Sequence, residues 1–250
     1  MAAGLHAKAK AGDSSGLLAL LQEVEVDAKD ATGWTALHWA ASRGREEAAR
    51  TLLDNKADPN ASNHLLWAPV HDAARSGNPS ILKLLKEAGA DMLAKTDGDC
   101  TALHFAAKYD RVDAIKFLLM DEKADVNERN KAGQTALFIA SSHGNEAAVR
   151  ALVEGGASVL ISDKASRTPE DMAKKKQMHA VLSLLEEAGR RQRAERLEEA
   201  EASMKHAEDL ERAGRGEEAA ESYREARASF EMVGEHERAQ AATARLQALC

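Results

Sequence analysis

Cysteine is nearly absent from this sequence, and its scarcity excludes several classes of protein. The chain has two cysteines in 250 residues, Cys100 and Cys250. Their separation fits neither a disulfide framework nor the short spacings of zinc and redox motifs. We therefore expect the chain to fold in a reducing compartment, the cytoplasm, with the nucleus as the alternative.

Long hydrophobic runs and an excess of basic residues are also missing. No apolar stretch approaches the length that spans a bilayer, and the first residues lack the apolar core of a signal peptide. The formal net charge is -7 and the isoelectric point is near 5.8. Because phosphate binding needs a concentrated cationic surface, we expect neither a membrane nor a nucleic acid as the partner.

Catalytic motifs are a third absence. The sequence contains no phosphate-cradling glycine loop, no dinucleotide fingerprint, no nucleophile elbow and no paired metal histidines. Cys100 is the one candidate for a reactive thiol, and its neighbours Asp97 and Asp99 disfavour the thiolate. We therefore predict that the chain is not an enzyme and that it holds no metal and no cofactor.

What the sequence does contain is a repeated phrase. The stretches GWTALHWAASRG, CTALHFAAKYD and QTALFIASSHG begin at residues 33, 100 and 134. Aligning the phrases gives two columns at steps of 32 to 34 residues: Thr35, Ala68, Thr101, Thr135 and Thr168, and then Leu20, Leu52, Leu85, Leu118, Leu152 and Leu185. A period of this length is typical of stacked repeat proteins.

Each unit divides internally in the same way. A polar turn leads into a short apolar helix, a glycine such as Gly44 or Gly77 permits the left-handed backbone that closes it, and a second helix follows. Neither helix of such a pair can bury its apolar stripe alone, so neighbouring pairs must stack. The pattern predicts an all-α solenoid of helix-turn-helix repeats.

The phrases TALHWAASRG, APVHDAARSG and TALHFAAKYD, with KADPN and KADVN downstream, resemble ankyrin repeats. The resemblance covers residues 1–189 and implies an N-terminal cap repeat, four full repeats and a C-terminal cap repeat, with β-turn fingers. Leu66 replaces a turn glycine, so we expect an irregular second finger. Asp110 replaces a helix-closing glycine, which we expect to be tolerated, and Phe138 replaces the motif histidine. One extra residue in LLMDEKAD predicts a small bulge.

Nine histidines invite a metal hypothesis, but their positions argue against it. His6, His38, His71 and His104 take the same slot of successive repeats. Stacked helices lie roughly 8–10 Å apart, too far for shared ligation by zinc, whose nitrogen ligands lie about 2 Å away. We expect each histidine to form hydrogen bonds within its own turn.

After Gly189 the repeat ends, and residues 190–250 lack proline and are rich in alanine and charge. Glycines at 214, 216 and 234 divide them into helical segments. The pattern of Ala207, Leu210, Gly214, Ala219, Tyr223 and Ala226 resembles a tetratricopeptide helical hairpin. We expect residues 1–189 and 190–250 to form two domains, the second a short helical hairpin or bundle.

The ankyrin resemblance implies a protein partner on the concave face of a rigid, monomeric array. The residue before each repeated phrase is expected at a finger tip, where Trp34 and Trp67 lie in adjacent repeats and form the proposed hot spot. The full set of candidate binding residues is Trp34, Trp39, Arg43, Leu65, Trp67, Arg75, Cys100, Phe105, Lys108, Tyr109, Gln134 and His143.

The sequence predicts a non-enzymatic interaction module or adaptor. An assembly chaperone or inhibitor of one client is the alternative within the binding class. A regulatory subunit of an enzyme is the alternative outside it. The partner's identity cannot be deduced, because such arrays share a scaffold and differ in their exposed residues.

Overall fold

The computed structural model describes residues 2–120 and 124–249, and these ranges contain helices and turns but no strand. The helices are α1 (Ala2–Ala11), α2 (Ser14–Leu20), α3 (Ala36–Ser42), α4 (Glu46–Asp54), α5 (Pro69–Ser76), α6 (Pro79–Glu87), α7 (Ala102–Lys108), α8 (Val112–Met120), α9 (Ala136–His143), α10 (Glu146–Glu154), α11 (Pro169–Lys175), α12 (His179–Arg212), α13 (Gly216–Val233) and α14 (His236–Leu249). The expected all-α class is confirmed.

The helices of the repeat region form two layers. The first helices of the pairs contact each other in chain order, α1 with α3, α3 with α5, α5 with α7, α7 with α9 and α9 with α11. The second helices do the same, from α2 through α4, α6 and α8 to α10. Each helix inside the stack therefore buries its apolar stripe against its pair and its two neighbours in the same layer, which is the stacking that defines a solenoid.

Leucines of the repeated column form part of the core of the second layer. Leu52, Leu85 and Leu152 are completely buried, and Leu118 is almost so. Leu185, in α12, is also completely buried. The column is broken only at its start, where Leu20 is half-buried, and Leu17 of the same helix is fully buried. The repeat period thus predicted the core except in the first, degenerate unit.

Residues in the left-handed backbone conformation end the first helix of the pairs. Gly12, Gly44, Gly77 and Gly144 have φ between 66° and 83°, and Asp110 takes the same role at φ 56°. The substitution of aspartate for glycine is therefore absorbed as predicted, because aspartate enters this region more easily than most residues. The predicted bulge in LLMDEKAD falls on residues 121–123, which lie outside the described residues.

The chain divides into two compact units, Met1–Leu184 and Leu185–Cys250. The division falls within α12 and differs by a few residues from the predicted boundary after Gly189, which stays a prediction. In the second unit Ala207, Leu210, Ala219 and Tyr223 form one buried cluster, and Ala200, Ala226, Phe230 and Ala239 form another. These positions include most of the tetratricopeptide-like pattern, a resemblance that also stays a prediction.

Candidate functional site

Five short turns, the fingers, lead into the first helices of the repeats at residues 30–34, 63–67, 96–100, 130–134 and 163–167. In each finger the first residue donates its backbone N–H to the carbonyl of the fifth, at 2.8 to 3.1 Å. The side-chain oxygen of the first residue accepts the N–H of the fifth. These paired bonds fix the shape of every finger.

The fourth residue of every finger has a positive φ. It is glycine in the first and fourth fingers, Leu66 in the second, Asp99 in the third and Ser166 in the fifth. The second finger was expected to be irregular because of Leu66, but it keeps the same hydrogen bonds as the others. The leucine accepts the strained conformation, and the finger retains its shape.

Backbone hydrogen bonds join the fingers into a row. Asp97 N–H donates to the Leu65 carbonyl at 2.8 Å, Lys131 N–H to Gly98 at 2.9 Å and Lys164 N–H to Ala132 at 3.0 Å. A row fixed by its own backbone loses little conformational entropy when a partner docks. The second to fifth fingers therefore present their exposed side chains in a fixed arrangement.

The motif histidines attach each helix to the next repeat. His38 Nδ1 accepts the N–H of Thr35 at 3.2 Å, and its Nε2 donates to the Trp67 carbonyl at 3.0 Å. His104 bonds in the same way to Thr101 and to the Gln134 carbonyl. The expected bond within the turn is present for His38, His71 and His104, whereas His6 bonds to the Ala28 carbonyl. The bonds to carbonyls of the following repeat are ones that the sequence did not reveal.

Burial changes the protonation of these histidines. It lowers the pKa of His38 to about 4, and it also lowers the pKa of His71 and His104. Each ring is therefore neutral near pH 7, in the tautomer that donates from Nε2. No group of three or more His, Cys, Asp or Glu side chains in residues 2–120 and 124–249 could hold a metal ion.

The predicted aromatic residues form two contacting groups. The Trp34 and Trp39 rings lie 4.8 Å apart, and the Trp67 and Phe105 rings lie 4.2 Å apart, measured between centroids. All four side chains are half-buried. The sequence placed Trp34 and Trp67 at exposed tips; in the structure each closes its finger, while residues two to four form the tip.

Two charged groups hold the aromatic rings in place. The Trp39 indole N–H donates to Asp30 Oδ2 at 2.9 Å. Although burial opposes it, the hydrogen bonds from Thr32, Trp39 and Trp34 lower the pKa of Asp30 to about 2. The Arg75 guanidinium lies 5.6 Å from the centroid of Trp34 and 5.9 Å from that of Trp67, within cation-π range of both.

An open cleft of about 610 Å³ gathers several of the predicted residues. Its lining consists of Trp34, Trp39, Ser42, Arg43, Gly44, Arg75, Ser76, Tyr109 and Arg111. Arg43 and Tyr109 are exposed, while Arg75 is half-buried. Residues from the first three full repeats thus meet around one space, large enough for part of a peptide.

Seven of the predicted residues lie outside this cleft lining: Leu65, Trp67, Cys100, Phe105, Lys108, Gln134 and His143. Leu65 is at the tip of the second finger with 60% of its surface exposed. Burial, more than the neighbouring Asp99, raises the pKa of the Cys100 thiol, so the thiolate is disfavoured as predicted. Lys108 and His143 are exposed on α7 and α9, and Gln134 is half-buried in its finger.

Asp72 is the residue beside the cleft that the sequence interpretation missed. It is fully buried and pairs with Arg75, whose Nη2 lies 3.0 Å from Oδ1. Burial raises the pKa of Asp72 to about 8, while the Arg75 guanidinium and the Trp67 indole N–H oppose that shift. In the described structure Asp72 Oδ2 and Trp67 Nε1 are buried without a hydrogen bond of normal geometry.

The sequence did contain a signal for Asp72 and one for Arg111. Asp72 takes the helix position that Trp39 and Phe105 occupy in the neighbouring repeats, so a carboxylate stands where large apolar residues are the rule. Arg111 follows Asp110 as Arg45 follows Gly44. Its Nε donates to the Arg75 carbonyl at 3.0 Å, so it satisfies a carbonyl near the end of the preceding repeat's helix.

The comparisons with known proteins agree with this architecture. A family model described as ankyrin repeats (3 copies) matches residues 5–96, 70–163 and 103–192. A crystal structure of an ankyrin repeat domain from Acinetobacter baumannii AYE matches with a TM-score of 0.62 and 30% identity, over 74% of this chain and 97% of that chain. No helix in the described part of the chain is long and apolar enough to cross a membrane.

Relatives include neurogenic locus notch homolog protein 1 of Mus musculus, 32% identical over 56% of this chain and 6% of its own length. SH3 and multiple ankyrin repeat domains protein 2 of Homo sapiens is 31% identical over 58% of this chain and 8% of its own length. Palmitoyltransferase AKR1 of Lachancea kluyveri is 29% identical over 74% of this chain and 26% of its own length. The chain thus spans about a quarter or less of these relatives. Because the family model covers most of its length, this chain belongs to the ankyrin-repeat family.

Proposed function

We propose that the chain is a non-enzymatic interaction module that binds a partner protein on the concave face, formed by the fingers and the first helices of the repeats. The observation that carries the proposal is the open cleft lined by Trp34, Trp39, Arg43, Arg75 and Tyr109. Aromatic and arginine side chains are the residue types enriched among binding hot spots. An adaptor is the form of this function that we favour.

Exposed apolar side chains at the tip of a finger support the same proposal. Leu65 and Leu66 form the tip of the second finger with 60% and 54% of their surfaces exposed. Leu66 also keeps a left-handed conformation, at φ 53°, that glycine would adopt without strain. An exposed apolar pair, one member of which is held in an unfavourable backbone conformation, is typical of a site kept for binding rather than for stability.

Affinity capture followed by a binding measurement with the purified partner tests the proposal. We expect Trp34→Ala and Leu65→Ser each to weaken the captured partner's binding by about 2 kcal/mol. The matched control is Leu18→Ser on α2, where a leucine is 49% exposed away from the fingers. Equal affinity for the three variants would contradict the proposed face.

Folding stability must be measured in the same variants. Trp34 is half-buried against Trp39, so its truncation removes packing as well as a binding surface. We therefore expect Trp34→Ala to lose some stability, unlike a residue at an exposed tip. Leu65→Ser is the cleaner variant, and a loss of affinity without a loss of stability there supports a direct contact.

A further inference from the structure

The cleft has a charge opposite to that of the whole chain. The chain carries a formal net charge of -7, yet three of the nine residues lining the cleft are arginines and none is acidic. The three are Arg43, Arg75 and Arg111, which come from three successive repeats. A local basic site on an acidic protein attracts anionic ligands at short range, within the screening length of about 8 Å at physiological salt.

Two of the three guanidinium groups, those of Arg75 and Arg111, are held in position before any ligand binds. Arg75 donates to Asp72 and lies over the rings of Trp34 and Trp67. Arg111 donates from Nε to the Arg75 carbonyl, and its side-chain carbons pack where a Cβ on Gly77 would stand, 2.6 Å from Cδ. Ordering these side chains therefore costs little on binding, because most of the rotamer entropy is already lost.

Much of the donor capacity of these arginines is unused. A guanidinium has five N–H donors. Arg75 uses one on Asp72, Arg111 uses one on a carbonyl, and exposed Arg43 has no partner among the described residues. Asp72 is buried beneath the rings, where its raised pKa reduces the charge with which it can neutralise Arg75. The cleft therefore retains its cationic character at neutral pH.

The arrangement of the arginines favours several separate anions over a single one. The three arginines come from three successive repeats, whose helices lie about 8–10 Å apart, and they take different positions there: Arg43 follows α3, Arg75 lies in α5 and Arg111 precedes α8. An extended peptide rises about 3.3 Å per residue, so carboxylates three residues apart are about 10 Å apart. Guanidinium groups contributed by three repeats therefore favour carboxylates that are separated along an extended segment over adjacent ones.

We propose that the cleft formed by Trp34, Trp39, Arg43, Arg75, Tyr109 and Arg111 binds an extended acidic segment of the partner protein through spaced Asp or Glu side chains. The proposal rests on the proposed function and adds the chemistry of the ligand. The aromatic rings supply the apolar floor for the peptide backbone and intervening side chains, and the arginines bind the carboxylates. Nucleic-acid bases fit less well, because the Trp34 and Trp67 rings are already engaged by Arg75 and by neighbouring rings.

Synthetic peptides test the proposal on the full chain. A labelled, tryptophan-free peptide with Glu at every third residue in a Gly/Ser/Leu background is compared with a peptide of the same composition whose Glu residues are adjacent, and with one that has Lys at the same positions. Binding is followed by anisotropy and by intrinsic fluorescence, which reports on the cleft region because the chain's three tryptophans are Trp34, Trp39 and Trp67. We expect the spaced acidic peptide to bind tightest, and the affinity to fall with added salt.

Two arginine variants locate the binding. Arg43→Gln is expected to weaken the spaced acidic peptide at least about tenfold, because a charged hydrogen bond is lost. Arg50→Gln is the matched control, since Arg50 is also exposed but lies on α4 of the second layer and pairs with Glu46. Equal affinities for Arg43→Gln and Arg50→Gln would overturn the assignment.

Other ligands give outcomes that overturn the proposal. A peptide with one phosphoserine that binds tighter than the spaced acidic peptide assigns the cleft to a phosphate, and tighter binding of oligo(dT) assigns it to single-stranded nucleic acid. Equal binding of the Glu and Lys peptides, or no binding of any peptide, also refutes it. If a captured partner still depends on Leu65 while the acidic peptides fail, the interaction function stands and only the ligand chemistry is wrong.

Discussion

At the scale of single residues, the fourth position of the fingers shows how a local conformation is kept at a cost. Gly33 and Gly133 adopt positive φ freely, whereas Leu66 occupies the same conformation with a side chain that clashes with its own backbone. Nothing in the described hydrogen bonds of the second finger requires a leucine there. The exposed apolar side chain of Leu66 is therefore the feature that accounts for a leucine at this position.

Leu66→Gly is therefore expected to stabilise the fold. Relief of the left-handed strain exceeds the greater backbone entropy of glycine, and we expect a gain of about 0.5–1 kcal/mol in the free energy of unfolding. Leu65→Gly is the control, because Leu65 is equally exposed but has no positive φ. Urea denaturation measures both, and a gain at Leu65 equal to that at Leu66 would contradict the strain argument.

Asp72 makes a distinct contribution to the pH dependence of stability. Its pKa rises from the ordinary 3.8 to about 8 on folding, so the native state holds a proton that the unfolded state releases between these values. The contribution of Asp72 to stability is therefore present below about pH 4 and is lost as the pH rises to about 8. The motif histidines act in the opposite sense, because their lowered pKa values make stability fall as the pH drops below 6.5.

Asp72→Asn separates these two effects. The asparagine keeps an acceptor for Arg75 and does not ionise, so the stability of the variant relative to the original chain should improve as the pH rises from about 4 to about 8. We expect the relative gain to grow with pH across that range by up to about 1.4 kcal/mol for each unit by which the pKa of Asp72 is raised. The measurement is a series of urea denaturations, and a constant difference across the range would rule out a raised pKa.

At the scale of helices and repeats, burial along the leucine column sets the expected cost of truncation. Leu118 is 1% exposed in α8, in the middle of the stack, whereas Leu20 is half-buried in α2 at its start. Leu118→Ala should lower the free energy of unfolding by about 2–5 kcal/mol, through lost burial and the remaining cavity. Leu20→Ala should cost less, and equal losses in denaturant unfolding would argue against the solenoid order.

The elements were predictable from the sequence because their signals are local and repeated. The columns of Thr35 and Leu52 and the helix-closing glycines recur at fixed steps, and periodic burial follows from them directly. The details of the site depend on side chains from three repeats. Neighbouring aromatic rings and the Arg75 guanidinium cover Trp34 and Trp67, and Arg75 also pairs with the buried Asp72. Sequence spacing does not reveal these contacts or the burial that results from them.

At the scale of the whole molecule, the second compact unit has its own buried clusters around Tyr223 and Phe230. The hydroxyl of Tyr223 donates to Glu211 Oε2 at 2.8 Å, and burial together with Glu211 raises the pKa of Tyr223 to about 12. Clusters and bonds contained within one unit are what independent folding requires.

The boundary between the units can be located by truncation. Leu185 is the last leucine of the repeated column, and it is completely buried. The sequence repeat therefore predicts a domain boundary after Leu185, whereas the compact units divide just before it. A chain ending at Gly189 should therefore stay soluble, unfold cooperatively in urea and be more stable than a chain ending at Leu184, by about 2–5 kcal/mol if Leu185 belongs to the repeat core. Equal stability of the two truncated chains would place Leu185 with the C-terminal helices. Aggregation of the chain ending at Gly189 would show that residues 190–250 are needed to cover the last repeat.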